Sequence, residues 1–340
     1  MITRLELTNF GPLNQVEWND LGPINLVIGN NGSGKTFLLK SLYTAMRTLE
    51  EYRRGDDPRT AEEILWDKLY WTFQPDQKRI GDLVTMGAAD GLRFSCTVDG
   101  NSFSYGFGSE TEKVFTPFDN QVPPRGSNSV FLPAKEVLSL QKIILKSRER
   151  EQDFGFDDTY LDLARALAQS TTQGKNYYEF ADSRRRLEDM LGGKIEFDAA
   201  SDRWRFRNRD NWWFPIGMTA EGVKKIAILD TLLGNRYLTP ASIIFIDEPE
   251  SALHPSALIQ LLDIVATLAA RGIQFFMASH SYFVVKKLFL IAQEKKMSVP
   301  VLKAGTEGWT SSNLKDDMPD NAIIDESIRL YEQEVNLAFA

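Results

Sequence analysis

Eight consecutive residues, Gly29-Asn30-Asn31-Gly32-Ser33-Gly34-Lys35-Thr36, carry the strongest chemical signal in the chain. They fit G-x-x-x-x-G-K-[ST]. Glycines at these positions let the backbone turn so tightly that N–H groups converge on phosphate oxygens at a helix N-terminus. On this reading Asn30, Asn31, Gly32, Ser33, Gly34, Lys35, Thr36 and Phe37 hold ATP. Lys35 reaches the β- and γ-phosphates and the Thr36 hydroxyl ligates Mg²⁺. The competing reading is a glycine-rich turn with an incidental lysine. An apolar strand before the loop and a helical pattern after it favour the phosphate site.

A second signal is Ile243-Ile244-Phe245-Ile246-Asp247-Glu248-Pro249-Glu250. Four apolar residues bury a strand and leave Asp247 at its carboxyl end, where ligands bind in α/β sheets. Asp247 is then the second Mg²⁺ holder, opposite Thr36, and Glu248 is the general base that polarises an attacking water. Taken alone, the same residues also read as an acidic loop before the helix that begins near Pro255. The chain has two histidines, His254 and His280. Both fall at carboxyl-side loops of the expected sheet. His280, in Ala278-Ser279-His280-Ser281, reads as a catalytic γ-phosphate sensor; His254 is left undecided.

These groups need elements to carry them. Ile24 to Ile28, Ile243 to Ile246 and Ile273 to Met277 read as buried parallel strands. Helices are expected over Lys35 to Thr48, Glu221 to Leu233 and Pro255 to Arg271, with Pro255 in a first turn and Gly272 at a stop. Strand, loop, helix, strand is the α/β pattern. The middle of the chain differs. A helix is expected around Ala61 to Trp71, and residues 92–132 alternate like antiparallel strands with a hairpin turn at Asp99-Gly100-Asn101. Helices follow over Glu136 to Arg150, Asp158 to Gln169 and Tyr177 to Leu191, then strands at Lys194 to Phe197 and Arg203 to Phe206. Ala322 to Val335 is amphipathic and expected to pack on the rest.

Composition sets the outer limits. Hydrophobic residues make up 43% and charged residues 25% of 340, which excludes disorder, collagen and a pure coiled coil. Charges interrupt every apolar run short of the roughly 18 residues of a membrane span. The start, Met1-Ile2-Thr3-Arg4, lacks a signal-peptide pattern, and a single cysteine, Cys96, cannot form an internal disulfide. The expectation is a cytoplasmic chain with no membrane contact. A net charge of −8 restricts any DNA or RNA contact to a local patch. The candidate patch is Arg203, Arg205, Arg207 and Arg209, alternating with Trp204 and Phe206 so that a strand shows four arginines on one face. A solvated face paired with nearby acids is the alternative. Trp204, Phe206, Trp212 and Trp213 are expected in the core.

The motifs together give a resemblance. Asn9-Phe10-Gly11 after the first strand, the phosphate loop, the Glu-Pro-Glu run followed by Ser251-Ala252-Leu253-His254-Pro255, and Ala278-Ser279-His280-Ser281 resemble an ABC-type ATPase head of the RecF, chromosome-maintenance and overcoming-lysogenisation-defect group. The resemblance covers about 1–46 and 195–300. It implies an α/β P-loop NTPase head with a parallel core sheet, an antiparallel β subdomain and an inserted helical lid. On that layout 47–133 is a mixed insertion, 134–193 the lid and 301–340 a C-terminal segment on the head. It also implies ATP and Mg²⁺ as ligands, a homodimer closed around ATP, and a signature loop acting across that dimer. Thr219, Ala220, Glu221 and Gly222 stand in the signature position, with Ala220 where the family has serine and Thr219 as the alternative hydroxyl. No glutamine follows Val130 to Leu132 until Gln141. The stretch after His280 is shorter than the roughly 100-residue domain that nuclease chemistry needs. The expected function is therefore ATP hydrolysis coupled, through a separate effector protein, to anti-phage defence or DNA repair. The alternative is an ATP-gated protein scaffold without nucleic-acid contact.

Overall fold

A computed structural model describes residues 1–76, 79–169, 180–198, 200–305, 308–320 and 322–338. The three apolar runs become neighbours in a central sheet. Its order is β14 (Gly308–Asn313), β13 (Pro300–Gly305), β3 (Ile24–Ile28), β12 (Gln274–Ser279), β11 (Ile243–Asp247) and β7 (Ser129–Leu132). All neighbours pair in parallel except the β13–β14 hairpin. Alternate residues of each central strand enter different cores. Leu26, Ile244, Phe275 and Met277 join one, while Val27, Phe245, Phe276 and Ala278 join the other. A sheet buried on both faces needs continuous apolar runs, which is why these strands do not alternate with polar residues.

The register aligns the functional ends. Ile28 pairs with Ser279, and Asp247 pairs with Ala278. The phosphate loop, the acidic run and the Ser279-His280 turn therefore leave the sheet along one edge, as ligand sites in α/β sheets do.

One face of the central sheet carries α1 (Lys35–Glu51) and, beyond it, an antiparallel sheet. That sheet runs β2 (Leu13–Trp18), β1 (Ile2–Phe10), β4 (Leu92–Val98), β5 (Asn101–Phe107), β6 (Phe118–Asn120). Asp99 and Gly100 turn the β4–β5 hairpin, both with positive φ, the geometry of a two-residue hairpin loop. Packed between two sheets, α1 is buried on every side from Ser41 to Glu50. Its polar side chains must then bond internally. Ser41, Thr44 and Thr48 donate to carbonyls of the preceding turn. Arg47 pairs with Glu50 and Glu51, and Glu50 accepts from the Ser129 N–H and hydroxyl at the start of β7.

The other face carries α6 (Glu221–Gly234), α7 (Pro255–Ala269), α8 (Tyr282–Lys295), α4 (Asp158–Ala168) and α5 (Ala181–Leu191). Beside them lie α3 (Gln141–Leu145), running on into a π-helical stretch over 146–151, and a small sheet β10 (Trp213–Pro215), β9 (Arg203–Asn208), β8 (Gly193–Asp198). The inserted helices share this core: Leu163, Leu167, Leu187 and Leu191 are all part of it. α2 (Ala61–Phe73) starts at a capping box between Thr60 and Glu63.

Several expectations need correction. β7 lies in the stretch expected to be antiparallel, yet it pairs in parallel with β11, because alternation does not encode strand direction. The core sheet also runs past residue 300 into β13 and β14. The helix expected from Glu136 begins at Gln141; before it, the Glu136 carboxylate accepts from Ser139 N–H and pairs with Lys224, which holds a turn instead. Tyr177, the expected start of the helix that ends at Leu191, lies outside the described residues. Finally, α9 (Ala322–Ala338) has no fully buried side chain. Ile323 and Ile324 meet the large core, but Ile328, Leu330, Tyr331 and Leu337 are exposed. An amphipathic pattern requires a partner surface without saying whose it is.

Candidate nucleotide site

The phosphate loop joins β3 to α1. Gly34 caps α1 with φ +90°, a left-handed conformation natural to glycine. A Cβ there would lie 2.8 Å from Leu13 Cδ2. Gly11, with φ +55°, lies flat on the Phe37 ring, which a Cβ would approach to 2.4 Å. The Asn9-Phe10-Gly11 corner thus fixes the first turn of α1.

Lys35 is buried. Its ammonium donates to the Gly29 and Asn30 carbonyls, both at 2.8 Å. Burial lowers its pKa against the pull of Asp247, Glu248 and Glu250. The Thr36 hydroxyl lies 3.0 and 2.9 Å from the two Asp247 carboxylate oxygens. Burial pushes the Asp247 pKa up, the Thr36 hydroxyl pulls it down, and the Glu248 charge raises it again. Asn30, Asn31, Gly32, Ser33 and Phe37 complete the loop and the start of α1.

Glu248 has φ +49°, a costly conformation for a residue with a side chain, and one found at functional sites. Its N–H donates to Ala278 O at 2.9 Å, and its Oε1 lies 3.6 Å from His280 Nδ1. Glu250 Oε1 accepts from the Ser279 hydroxyl at 2.8 Å and the His280 N–H at 3.1 Å, so His280 sits between two carboxylates.

The site suits a phosphate–metal ligand. Ser33 Oγ and Glu250 Oε2 are buried oxygens without a hydrogen-bond partner, and a Cβ at Gly32 would meet open space. Thr36 and Asp247 offer the hard oxygen donors that Mg²⁺ prefers. The N-terminus of α1 adds a partial positive charge.

Thr219, Ala220, Glu221 and Gly222 open α6. Gly222 packs on the turn after β11: a Cβ would come within 2.5 Å of the Ala252 carbonyl oxygen. The Thr219 hydroxyl is buried without a partner. Among the described residues no hydrogen bond joins this segment to the phosphate loop of its own chain.

Lys225 was not legible in the sequence, where a lysine inside a helix reads as solvated. Here it is buried and donates to the Glu248 carbonyl at 2.5 Å. His254 proves to be a helix cap, its Nδ1 accepting from the Ser256 N–H at 3.3 Å. Gln141 is a structural staple. Its amide bonds the Ala164 carbonyl at 2.8 Å and the Trp204 indole at 2.6 Å.

The arginine stripe is narrower than expected. Arg203, Arg205 and Arg207 alternate along β9, but Arg209 follows the strand. Arg205 pairs with Asp198, Arg207 with Glu196 and Arg209 with Asp189. Trp204 is buried as expected and Phe206 partly so. Trp212 and Trp213 are exposed, the first just before the edge strand β10 and the second at its start; Arg205 and Arg207 lie over the Trp213 ring.

Fold and loop order define an ABC-type P-loop ATPase head of the kind found in SMC and RecF proteins. The sequence profile described as "AAA domain, putative AbiEii toxin, Type IV TA system" matches residues 24–286, and the chain belongs to that family. Over 69 residues it is 41% identical to the DNA replication and repair protein RecF of Oceanobacillus iheyensis; the match spans 20% of this chain and 18% of that protein. The fold is that of SMC heads. It is similar to the SMC head bound to the C-winged helix domain of ScpA, at 12% identity and a TM-score of 0.54, over 93% of this chain and 98% of that one. It is also similar to the SMC head with an extended coiled coil bound to the C-terminal domain of ScpA, derived from Pyrococcus furiosus. There the identity is 13% and the TM-score 0.51, over 96% and 99% of the two chains. Among the described residues no helix is long and apolar enough to cross a membrane.

Proposed function

We propose that the chain binds and hydrolyses ATP, that two copies close around the nucleotide, and that hydrolysis serves a nucleic-acid-directed process through a separate effector protein. One observation carries this reading: Lys35, the Thr36–Asp247 contact and the Glu248–His280 pair converge at one sheet edge. The loop N–H groups and Lys35 take up phosphate oxygens. Thr36 and Asp247 would hold Mg²⁺, which supplies positive charge against the phosphates. Glu248 takes a proton from the attacking water, and His280 hydrogen-bonds the γ-phosphoryl oxygens as the bond to ADP breaks. The α6 N-terminus of the second copy, with Thr219 to Gly222, supplies N–H groups to the outer side of the γ-phosphate.

The family description names toxin–antitoxin systems and the RecF relative is named for replication and repair. Both support a setting in anti-phage defence or DNA repair. A second reading, an ATP-gated protein scaffold, is favoured by the pairing of Arg205, Arg207 and Arg209 with acids. ATP turnover by the purified chain tests the common core: no turnover by the chain or its dimer refutes it. Steeply salt-dependent DNA or RNA binding separates the two settings; its absence at low salt selects the scaffold.

A further inference from the structure

The strand β7 leads into Pro133-Ala134-Lys135-Glu136 and Gln141 is spent in the core, so no glutamine there links the inserted helices to the nucleotide site. A different element reaches the site, the start of α4. Lys40 lies four residues beyond Thr36 on α1, and so on the same helix face. Its ammonium meets Asp157 Oδ2 at 2.5 Å, with the two side chains 20% and 11% exposed. Asp157 is at the same time the N-cap of α4, its Oδ1 accepting from the Thr159 N–H at 2.8 Å. Tyr160 follows, half-buried, with burial, Asp157 and Asp247 all raising its phenol pKa. Thr36 and Lys40 thus share one face of α1, the first contacting Asp247 at 2.9 Å and the second pairing with Asp157, so α1 joins the Thr36–Asp247 contact to the cap of α4.

α4 is then held along its length. Asp162 accepts from the Tyr43 hydroxyl at 2.7 Å and from Lys68 at 3.0 Å, and Arg148 pairs with Asp158 at 2.7 Å. At its far end the Ala166 carbonyl accepts from Asn235 Nδ2 at 2.8 Å. Asn235 closes α6, the helix that opens with Thr219 to Gly222. We infer that α4 is a strut between the two halves of the ATP machinery, and that the Lys40–Asp157 pair is the pin that makes the strut respond to what Thr36 and Asp247 hold. Lys40 and Asp157 are positioning residues in this role, which rests on the ATPase reading.

The test separates charge from cap. Asp157→Asn keeps an N-cap side chain and removes the charge; Lys40→Met removes the other charge, and Lys40→Arg keeps it. Three quantities are read: affinity for a fluorescent ATP analogue with Mg²⁺, steady-state turnover, and hydrogen exchange of the α4 and α6 first turns with and without Mg-ATP in a Glu248→Gln background. The wild-type helices should slow their exchange when nucleotide binds. Asp157→Asn and Lys40→Met should hold affinity within about threefold, lose about tenfold in kcat, the size such couplings reach, and lose the α6 response. Lys40→Arg should retain all three. The double variant should be no worse than either single one, as expected for one shared interaction. An Asp157→Asn chain with wild-type turnover and exchange overturns the inference, as does a loss of affinity equal to the loss of kcat. A wild-type chain that binds no nucleotide overturns the ATPase reading and this one with it, and shows that before any variant is made. If Lys40→Met fails a melting check, Lys40→Arg against Asp157→Asn still decides.

Discussion

The Lys225 ammonium donates to the backbone carbonyl of Glu248 at 2.5 Å. The helix that carries Gly222 therefore holds the peptide group of the acidic residue at the end of β11. Glu248 needs such support, because its φ of +49° is unfavourable without neighbours that enforce it. Gly222 against Ala252 is the second contact between the same two segments.

Lys225 should make stability depend on pH in an unusual window. Burial pushes its pKa down to about 8 from 10.5, against Glu250, Asp247 and Glu248. Between those values the unfolded chain binds the proton and the folded chain does not, so stability rises with pH there. Below pH 8 both states are charged and burial of the charge costs stability in full. The urea stability of the wild type, relative to Lys225→Met, should climb from pH 8 to 10.5 by up to about 1.4 kcal/mol per unit. A flat difference would refute the linkage.

Glu248→Gln should bind ATP with near wild-type affinity and lose about 10²–10⁴-fold in turnover, the usual share of a general base. Lys35→Ala should lose binding itself. Near-normal hydrolysis by Glu248→Gln would falsify the assignment of the base.

Gly222→Ala places a Cβ 2.5 Å from the Ala252 carbonyl, so the turn after β11 must shift. The expected result is a folded chain destabilised by about 1–3 kcal/mol that binds ATP but no longer forms an ATP-linked dimer. Sedimentation with Mg-ATP in the Glu248→Gln background reads this out. A dimer of unchanged affinity would show that Gly222 does not serve the second copy.

Lys68 pairs with Glu51, Asp158 and Asp162 in a buried cluster. Lys68→Met leaves those carboxylates short of a cation and should cost about 3–5 kcal/mol by urea unfolding. The same cluster sets acid sensitivity. Asp162 is held well below the usual carboxylate range, by Lys68 and then Arg47, against burial. Its contribution is present above the ordinary carboxylate pKa and is lost as pH falls through the folded value. A loss below 1 kcal/mol for Lys68→Met would mean that water, not Lys68, compensates the acids.

Deleting residues 325–340 should change the melting temperature by less than about 2 °C, since surface changes away from packed features stay within about 0.5 kcal/mol and α9 buries none of its side chains fully. A large loss of stability would show that α9 bears on the head beyond Ile323 and Ile324.

What could be read from the sequence depended on how local the cause was. The strands around Leu26, Phe245 and Phe276 are continuous apolar runs because both faces are buried, and Gly34 and Pro255 punctuate helices for reasons of their own backbone. The phosphate loop and Asp247 are legible for the same reason. Lys225 and Lys40 are not, because a buried and a solvated lysine look alike until their neighbours are known. The direction of β7 is set by where β11 lies, and His254 could be read as a cap only once Ser256 was seen to follow a helix start. Trp213 is exposed at the start of an edge strand, a position that no residue count reveals.

Gln274 clasps the N-terminal strand: it accepts from the Ile2 N–H and donates to the Ile2 carbonyl, both at 2.8 Å. β3, which feeds the phosphate loop, lies between β12 and β13, both from the last quarter of the chain. The hydrogen bonds of β3 therefore close only across a sequence separation of 250 residues, as between Asn25 and Phe275. Such long-range pairing folds slowly, since loop-closure entropy must be met before the contacts that repay it form. Until β12 and β13 have formed, Ile24 to Ile28 is an unpaired apolar segment, exposed to aggregation or to chaperones. The phosphate loop and Asp247 are brought together only through β12, which pairs with both β3 and β11, so a chain cut before β12 lacks the strand that aligns them.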